Sequence, residues 1–252
     1  MTDIRGLLIV FLGGLIAGAM NALAGGGSFV SLPALIAAGV PSVQANASST
    51  VALFPGGAAS VWAYRDSLGP VGPASLRALL IATLLGGALG GALLMVTPSH
   101  TFDVVLPWLL LTACIALAFG RGFGAWLRRR VHISPTVVLL MQFGLGTYGG
   151  YFGGAVGIMM IAVWGLLDSR ELQSLNGSRT LMVSSANAVA AIIFIAARAV
   201  QWPQTLAMLV GATIGGYGGA LIGRRAPAGV IRVGTLLLTG AITVMFFVRA
   251  YT

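Results

Sequence analysis

A chain of 252 residues that is 58% hydrophobic and 8% charged has too little polar surface to cover a globule in water, where about a quarter of residues are ordinarily charged. A soluble enzyme is excluded on that ground, and the mean hydropathy of +0.97 predicts an all-α, polytopic integral membrane protein in a lipid bilayer. All fourteen basic residues are arginine and the net charge is +9. They lie between apolar runs, which ties them to membrane topology and leaves no nucleic-acid partner expected.

Residues 6–64 contain no Asp, Glu, Lys or Arg, too long for one span of about 20 residues. They predict a helix near 5–24, a short segment near 26–39 and a helix near 44–64. Because the first apolar run continues into a glycine-rich motif, no cleaved signal peptide is expected. Helices near 74–96 and 103–120 follow. Cys114 lies in the second of these, where a single thiol packs between helices and serves neither disulfide nor zinc. Arg121, Arg128, Arg129, Arg130 and His132 form a basic loop. Ser134-Pro135 then gives an N-cap with proline at the first helical position. Residues 133–167 again lack charge and predict a helix near 135–156 and a short segment near 158–167, before helices near 176–197, 203–223 and 229–249. The organisation is a first transmembrane repeat over 1–120, a basic cytoplasmic connecting loop over 121–134 and a second repeat over 135–252, each repeat having five segments of which the second is short or broken.

Two matches relate the halves. Gly14, Gly18 and Gly25 precede Gly146, Gly150 and Gly157 by 132 residues, and Asn46-Ala-Ser-Ser-Thr50 precedes Asn176-Gly-Ser-Arg-Thr180 by 130. The same order near the same separation points to duplication. Arginine in short loops favours the cytoplasm. That places 121–132, 224–232, Arg65 and Arg77 inside and the arginine-free loop 97–102 outside. If both short segments cross, the halves are inverted with both termini outside; if both dip in and return, the halves are parallel. The arginine count favours inversion, and Arg5 pulls the other way.

Gly25-Gly26-Gly27 costs about 1 kcal/mol per glycine in a helix and predicts a broken helix whose ends offer backbone groups to a ligand. The structural alternative is a tight interfacial hairpin or close helix packing. Asn46, Ser48, Ser49 and Thr50, with Asn176, Ser178, Arg179 and Thr180, open long helices, where free N–H groups and a partial positive charge suit an anion. Duplicated halves are expected to bring these two starts together near the midplane. Arg179 adds a guanidinium that can grip a sulfonyl, phosphoryl or carboxyl group; its structural alternative is snorkelling or pairing with Glu171. Asn21, Gln142 and Asn187, polar residues within predicted helices, form a second tier.

These motifs resemble the TauE/SafE family of membrane anion transporters, the sulfite exporters. The first copy shows Gly18, Gly25-Gly26-Gly27, Pro33, Leu35 and Asn46–Thr50. The second shows Gly150, Gly157, Leu167 and Asn176–Thr180, but has Gly157-Ile158-Met159 in place of the triple glycine and Gly165 opposite Pro33. The resemblance covers nearly the whole chain. It implies a secondary transporter that exports sulfite or an organosulfonate such as sulfoacetate across the cytoplasmic membrane. A passive anion channel, or an importer of a sulfur oxyanion such as thiosulfate, is the alternative.

No carboxylate falls mid-helix, and His100 and His132 fall in loops, so no proton-carrying side chain is evident. Clustered His, Cys or carboxylates for enzyme chemistry are lacking; neither catalytic residues, cofactor nor metal are expected. Small-xxx-small pairs such as Gly86–Gly90 and Gly215–Gly219 suit internal packing or a homodimer.

Overall fold

The structure, a computed structural model, describes residues 4–24, 26–128, 134–154, 156–167, 175–223 and 228–251. Ten α-helices are found among them: α1 Ile4–Ala24, α2 Ser28–Ala37, α3 Ser42–Ala63, α4 Leu76–Val96, α5 Ser99–Arg128, α6 Pro135–Phe152, α7 Val156–Leu167, α8 Asn176–Ala196, α9 Trp202–Gly223 and α10 Ala228–Tyr251. A 3-10 turn, Arg65–Ser67, follows α3. No strand occurs among the described residues. Among the described residues, five helical stretches are long and apolar enough to cross a bilayer: Ile4–Leu23, Leu76–Val96, Ser99–Phe119, Asn176–Ala196 and Val233–Tyr251.

Three boundaries differ from the sequence reading. α5 starts at Ser99 rather than near 103, so His100, expected in a loop, lies in its first turn, and it continues to Arg128, so the first eight residues of the expected loop 121–134 are helical. α6 stops at Phe152 rather than near 156, because Gly153 takes φ +70°, a left-handed turn that glycine adopts freely. Ser134 caps α6 as expected, its hydroxyl accepting from the Val137 amide.

Helices pair across the sequence halves. α1 packs in parallel on α9, and α6 packs in parallel on α4. In the first pair Gly14 and Gly18 press on the carbonyls of Met208 and Ala212, while Gly211 and Gly215 press on those of Phe11 and Leu15. In the second, Gly146 and Gly150 meet the carbonyls of Thr83 and Gly87, and Gly86 and Gly90 those of Phe143 and Thr147. Each position of one pair maps onto the other by a fixed shift, 132 residues for α1 to α6 and 125 for α4 to α9. Lipid gives helices no hydrophobic drive to associate, so such close backbone approach supplies the cohesion.

The chain ends share one face of the bundle. Gly6 packs beside Ala38, Ser42 donates to the Ser99 carbonyl at 3.4 Å, and His100 and Arg249 line one cleft. At the opposite face, Gly177 at the start of α8 packs on Tyr64 and Ser67 just after α3. α3 and α8 therefore lie antiparallel side by side.

Candidate functional site

The site forms at the two helix breaks. α2 folds back along α1, with Gly13 against Ala34. A Cβ on Gly27 would lie 2.6 Å from the Ala17 carbonyl oxygen, so only glycine allows the turn. At the second break the Gly153 amide donates to the Gly149 carbonyl at 2.7 Å. The two breaks touch: a Cβ on Gly154 would lie 2.8 Å from Ser28 Cβ, and one on Gly26 would lie 3.6 Å from Ile158 Cδ1. α3 and α8 flank them, with Gly57 beside the Ser184 hydroxyl.

A cavity of about 50 Å³ lies where these pieces converge. By the space a water occupies, this suits an ion of about four or five heavy atoms. Its polar lining is Asn21, Ser28, Thr50, Ser184 and Asn187; Leu53, Phe54, Val156 and Val183 supply apolar walls. Ser184 is 7% exposed and its hydroxyl has no hydrogen-bond partner; neither has Asn187 Oδ1. A buried polar atom left unbonded costs about 1–3 kcal/mol, so two at one cavity mark a place where a ligand completes the bonding. The first residues of the short helices, Ser28 of α2 and Val156 and Gly157 of α7, face the same space. No side chain caps α2, and the partial positive charge of a helix start favours an anion. Pro55 in α3, close by in sequence to Leu53, Phe54 and Gly57, lacks the N–H that would bond the Val51 carbonyl, a local weakness in the helix beside the cavity.

The sequence candidates divide. Thr50, Asn21 and Asn187 line the cavity. Gly26 and Gly27 form the first break, and Gly25 lies outside the described residues. Asn46 donates to the Tyr151 carbonyl at 2.9 Å, and Ser49 shares a 2.6 Å hydrogen bond with Ser31. Ser48 accepts from the Gln201 amide and Ser178 from the Gly69 amide, each at 2.9 Å. These groups tie helices to neighbouring helices and loops and do not line the cavity. Gln142 links Trp164, at 2.9 Å, to Thr83, at 2.7 Å, in a buried chain outside the lining. Asn176, Arg179 and Thr180 open α8 at the Tyr64–Ser67 face, and none lines the cavity. Glu171, the alternative partner of Arg179, lies outside the described residues.

The two helix starts consequently do not meet. Antiparallel packing sets them at opposite ends of α3 and α8, on the order of 20 Å apart along the axis at about 1.5 Å per residue. The sequence reading missed Ser28 and Ser184 as lining groups. The signal for Ser184 was the run Ser184-Ser185-Ala186-Asn187, polar in mid-span of an otherwise apolar helix.

Residues 10–246 match the family model for the sulfite exporter TauE/SafE. The chain belongs to that family. Among TauE/SafE relatives, a "Probable membrane transporter protein" of Haemophilus influenzae is 27% identical over 241 residues, covering 96% of this chain and 91% of the relative. A "Probable membrane transporter protein ORF9" of Sinorhizobium is 25% identical, covering 85% and 82%. "Probable membrane transporter protein YfcA" of Escherichia coli K12 is 26% identical, covering 82% and 77%. No solved structure matches. This TauE/SafE chain is thus an integral membrane transporter.

Proposed function

We propose that the chain is a secondary transporter carrying a small sulfur-containing anion, sulfite or an organosulfonate such as sulfoacetate, out across the cytoplasmic membrane by alternating access at the cavity between the breaks. The observation that carries the reading is the meeting of the two breaks around the unbonded Ser184 hydroxyl, a donor open to an anion; the unbonded Asn187 amide oxygen beside it can only accept, as from the proton of hydrogen sulfite. Discontinuous helices that direct their N-termini at one site are how carriers hold anions inside a membrane. The inside-negative potential favours expulsion by about 2.3 kcal/mol per charge per 100 mV.

The two halves are inverted repeats in this proposal. Support comes from the fixed 132- and 125-residue shifts between α1–α9 and α6–α4 and from the chain ends sharing one face. The glycine contacts also favour one particular motion. α1 is interlocked with α9 and α4 with α6, so the sequence halves do not rock apart; units built from both halves tilt about the α3–α8 pair.

Counterflow in proteoliposomes tests the transport reading. External sulfite or sulfoacetate is expected to accelerate efflux of labelled substrate, with saturation. Flux that rises linearly with concentration and shows no counterflow makes the chain a channel.

A further inference from the structure

We infer that the cavity takes singly charged anions and rejects doubly charged ones. The inference rests on the reading of the cavity as the transport site. Among the described residues its lining holds no cation: Arg179 opens α8 at the far face, and the polar groups are two amides and three hydroxyls. One hydroxyl is already committed, since Thr50 donates to the Asn46 carbonyl at 3.0 Å. Asn21, Asn187, Ser28 and Ser184 remain as side-chain donors, helped by the starts of α2 and α7.

The charge dependence decides the outcome. Attraction between an anion and fixed dipoles grows in proportion to its charge. The cost of removing it from water grows with the square, so a dianion loses about four times as much hydration as a monoanion of equal size. A lone counter-charge would offset that cost, and this lining has none. With a space of about 50 Å³, the four or so side-chain donors can satisfy the oxygens of one small monoanion. They leave the oxygens of a tetrahedral dianion short of partners, which is costly in a buried site. Sulfite then enters as hydrogen sulfite and carries its own proton, and an organosulfonate with no second acid group enters unchanged, whereas sulfoacetate, a dianion near neutral pH, enters only with its carboxyl protonated.

Binding to the detergent-purified full chain tests this, with a bulky organic anion as the background salt. The probes are nitrate and methanesulfonate as fixed monoanions, sulfate as a fixed dianion, and sulfite titrated through its second ionisation. At least one monoanion is expected to bind about tenfold or more tighter than sulfate. Sulfite affinity should fall as pH rises through that ionisation while the fixed monoanions stay level. Ser184→Ala should weaken the monoanion, and Arg179→Gln should not. Sulfate binding as tightly as the monoanions overturns the inference, as does sulfite affinity that is flat or rises with pH. Nitrate binding without methanesulfonate or sulfite leaves the charge rule standing and removes the sulfur-anion reading. Binding by none of the probes overturns both.

Discussion

Ser184 and Ser178 sit six residues apart on one helix and illustrate two different uses of a buried hydroxyl. Ser178 accepts from the Gly69 amide and donates to the Gly69 carbonyl at 2.7 Å, closing the loop before α4 onto α8. Ser48 holds the Gln201 amide in the loop before α9, the same job with the halves exchanged. Ser184 has no such partner and faces the cavity. Ser178→Ala strands a backbone pair, at about 1–3 kcal/mol, and should lower the thermal midpoint while the folded fraction keeps its anion affinity. Ser184→Ala and Asn187→Leu should leave the midpoint near wild type and weaken anion binding, by about 1.5–3 kcal/mol for each hydrogen bond lost to a charged ligand. Titration of all three variants by calorimetry, beside their melting curves, checks both halves of this. Loss of affinity in Ser178→Ala alone would return the site to the helix start. The sequence pointed to Arg179 because a guanidinium inside a membrane is conspicuous. Whether α8 presents its first turn or its middle to the breaks depends on α3 and α8 lying antiparallel, and no residue in NGSRT encodes that.

At the level of helices the chain was far more legible. Charge-free stretches and their lengths located all ten segments to within a few residues, except the early start and long end of α5 and the early stop of α6. The last two have local causes. The arginines of 121–128 do not interrupt a helix once it leaves the membrane. Gly153 ends α6 by adopting φ +70°, a choice that any of the glycines in that run could have made. The glycine pairs marked as packing motifs proved to join helices from different halves. Gly215 meets the Leu15 carbonyl, whereas Gly218 on the same helix has nothing within 4 Å of where a Cβ would sit. Gly215→Ala is therefore expected to destabilise by about 1–3 kcal/mol through overpacking. Gly218→Ala should be neutral or raise stability by up to about 1 kcal/mol from helix propensity. Melting of the two variants in one detergent reads the difference, and equal midpoints would mean that α1 and α9 are not held by this contact.

For the whole molecule the deciding matter is sidedness, because alternating access between inverted units requires that equivalent elements open to opposite faces. The structure gathers Gly6, Ser99, His100 and Arg249 at one face and Asp66 with the start of α8 at the other. Arginine follows the same division: Arg65 and Arg77 belong to the second face, as do Arg121 and Arg128 in the last two turns of α5 and Arg232 in the first two turns of α10. By the preference of arginine for the cytoplasm, the face with the chain ends is expected to be the outer one. In the proposed arrangement this holds whether α1 and α2 are counted as two crossings or as one hairpin that enters and returns, since α3, α4 and α5 add three passes in either case and the next half would begin inverted. In a background with Cys114 replaced, His100→Cys and Arg249→Cys should react with a membrane-impermeant maleimide in intact cells. Asp66→Cys, 90% exposed as a side chain, should react only after the membrane is opened. If His100→Cys and Arg249→Cys label from opposite sides, α5 and α10 are not related as the inverted arrangement needs, and the halves must be parallel. If Asp66→Cys alone labels from outside, the inversion survives but the orientation reverses. The end of α3 would then face outward, and the arginine distribution would have to be explained by something other than membrane insertion.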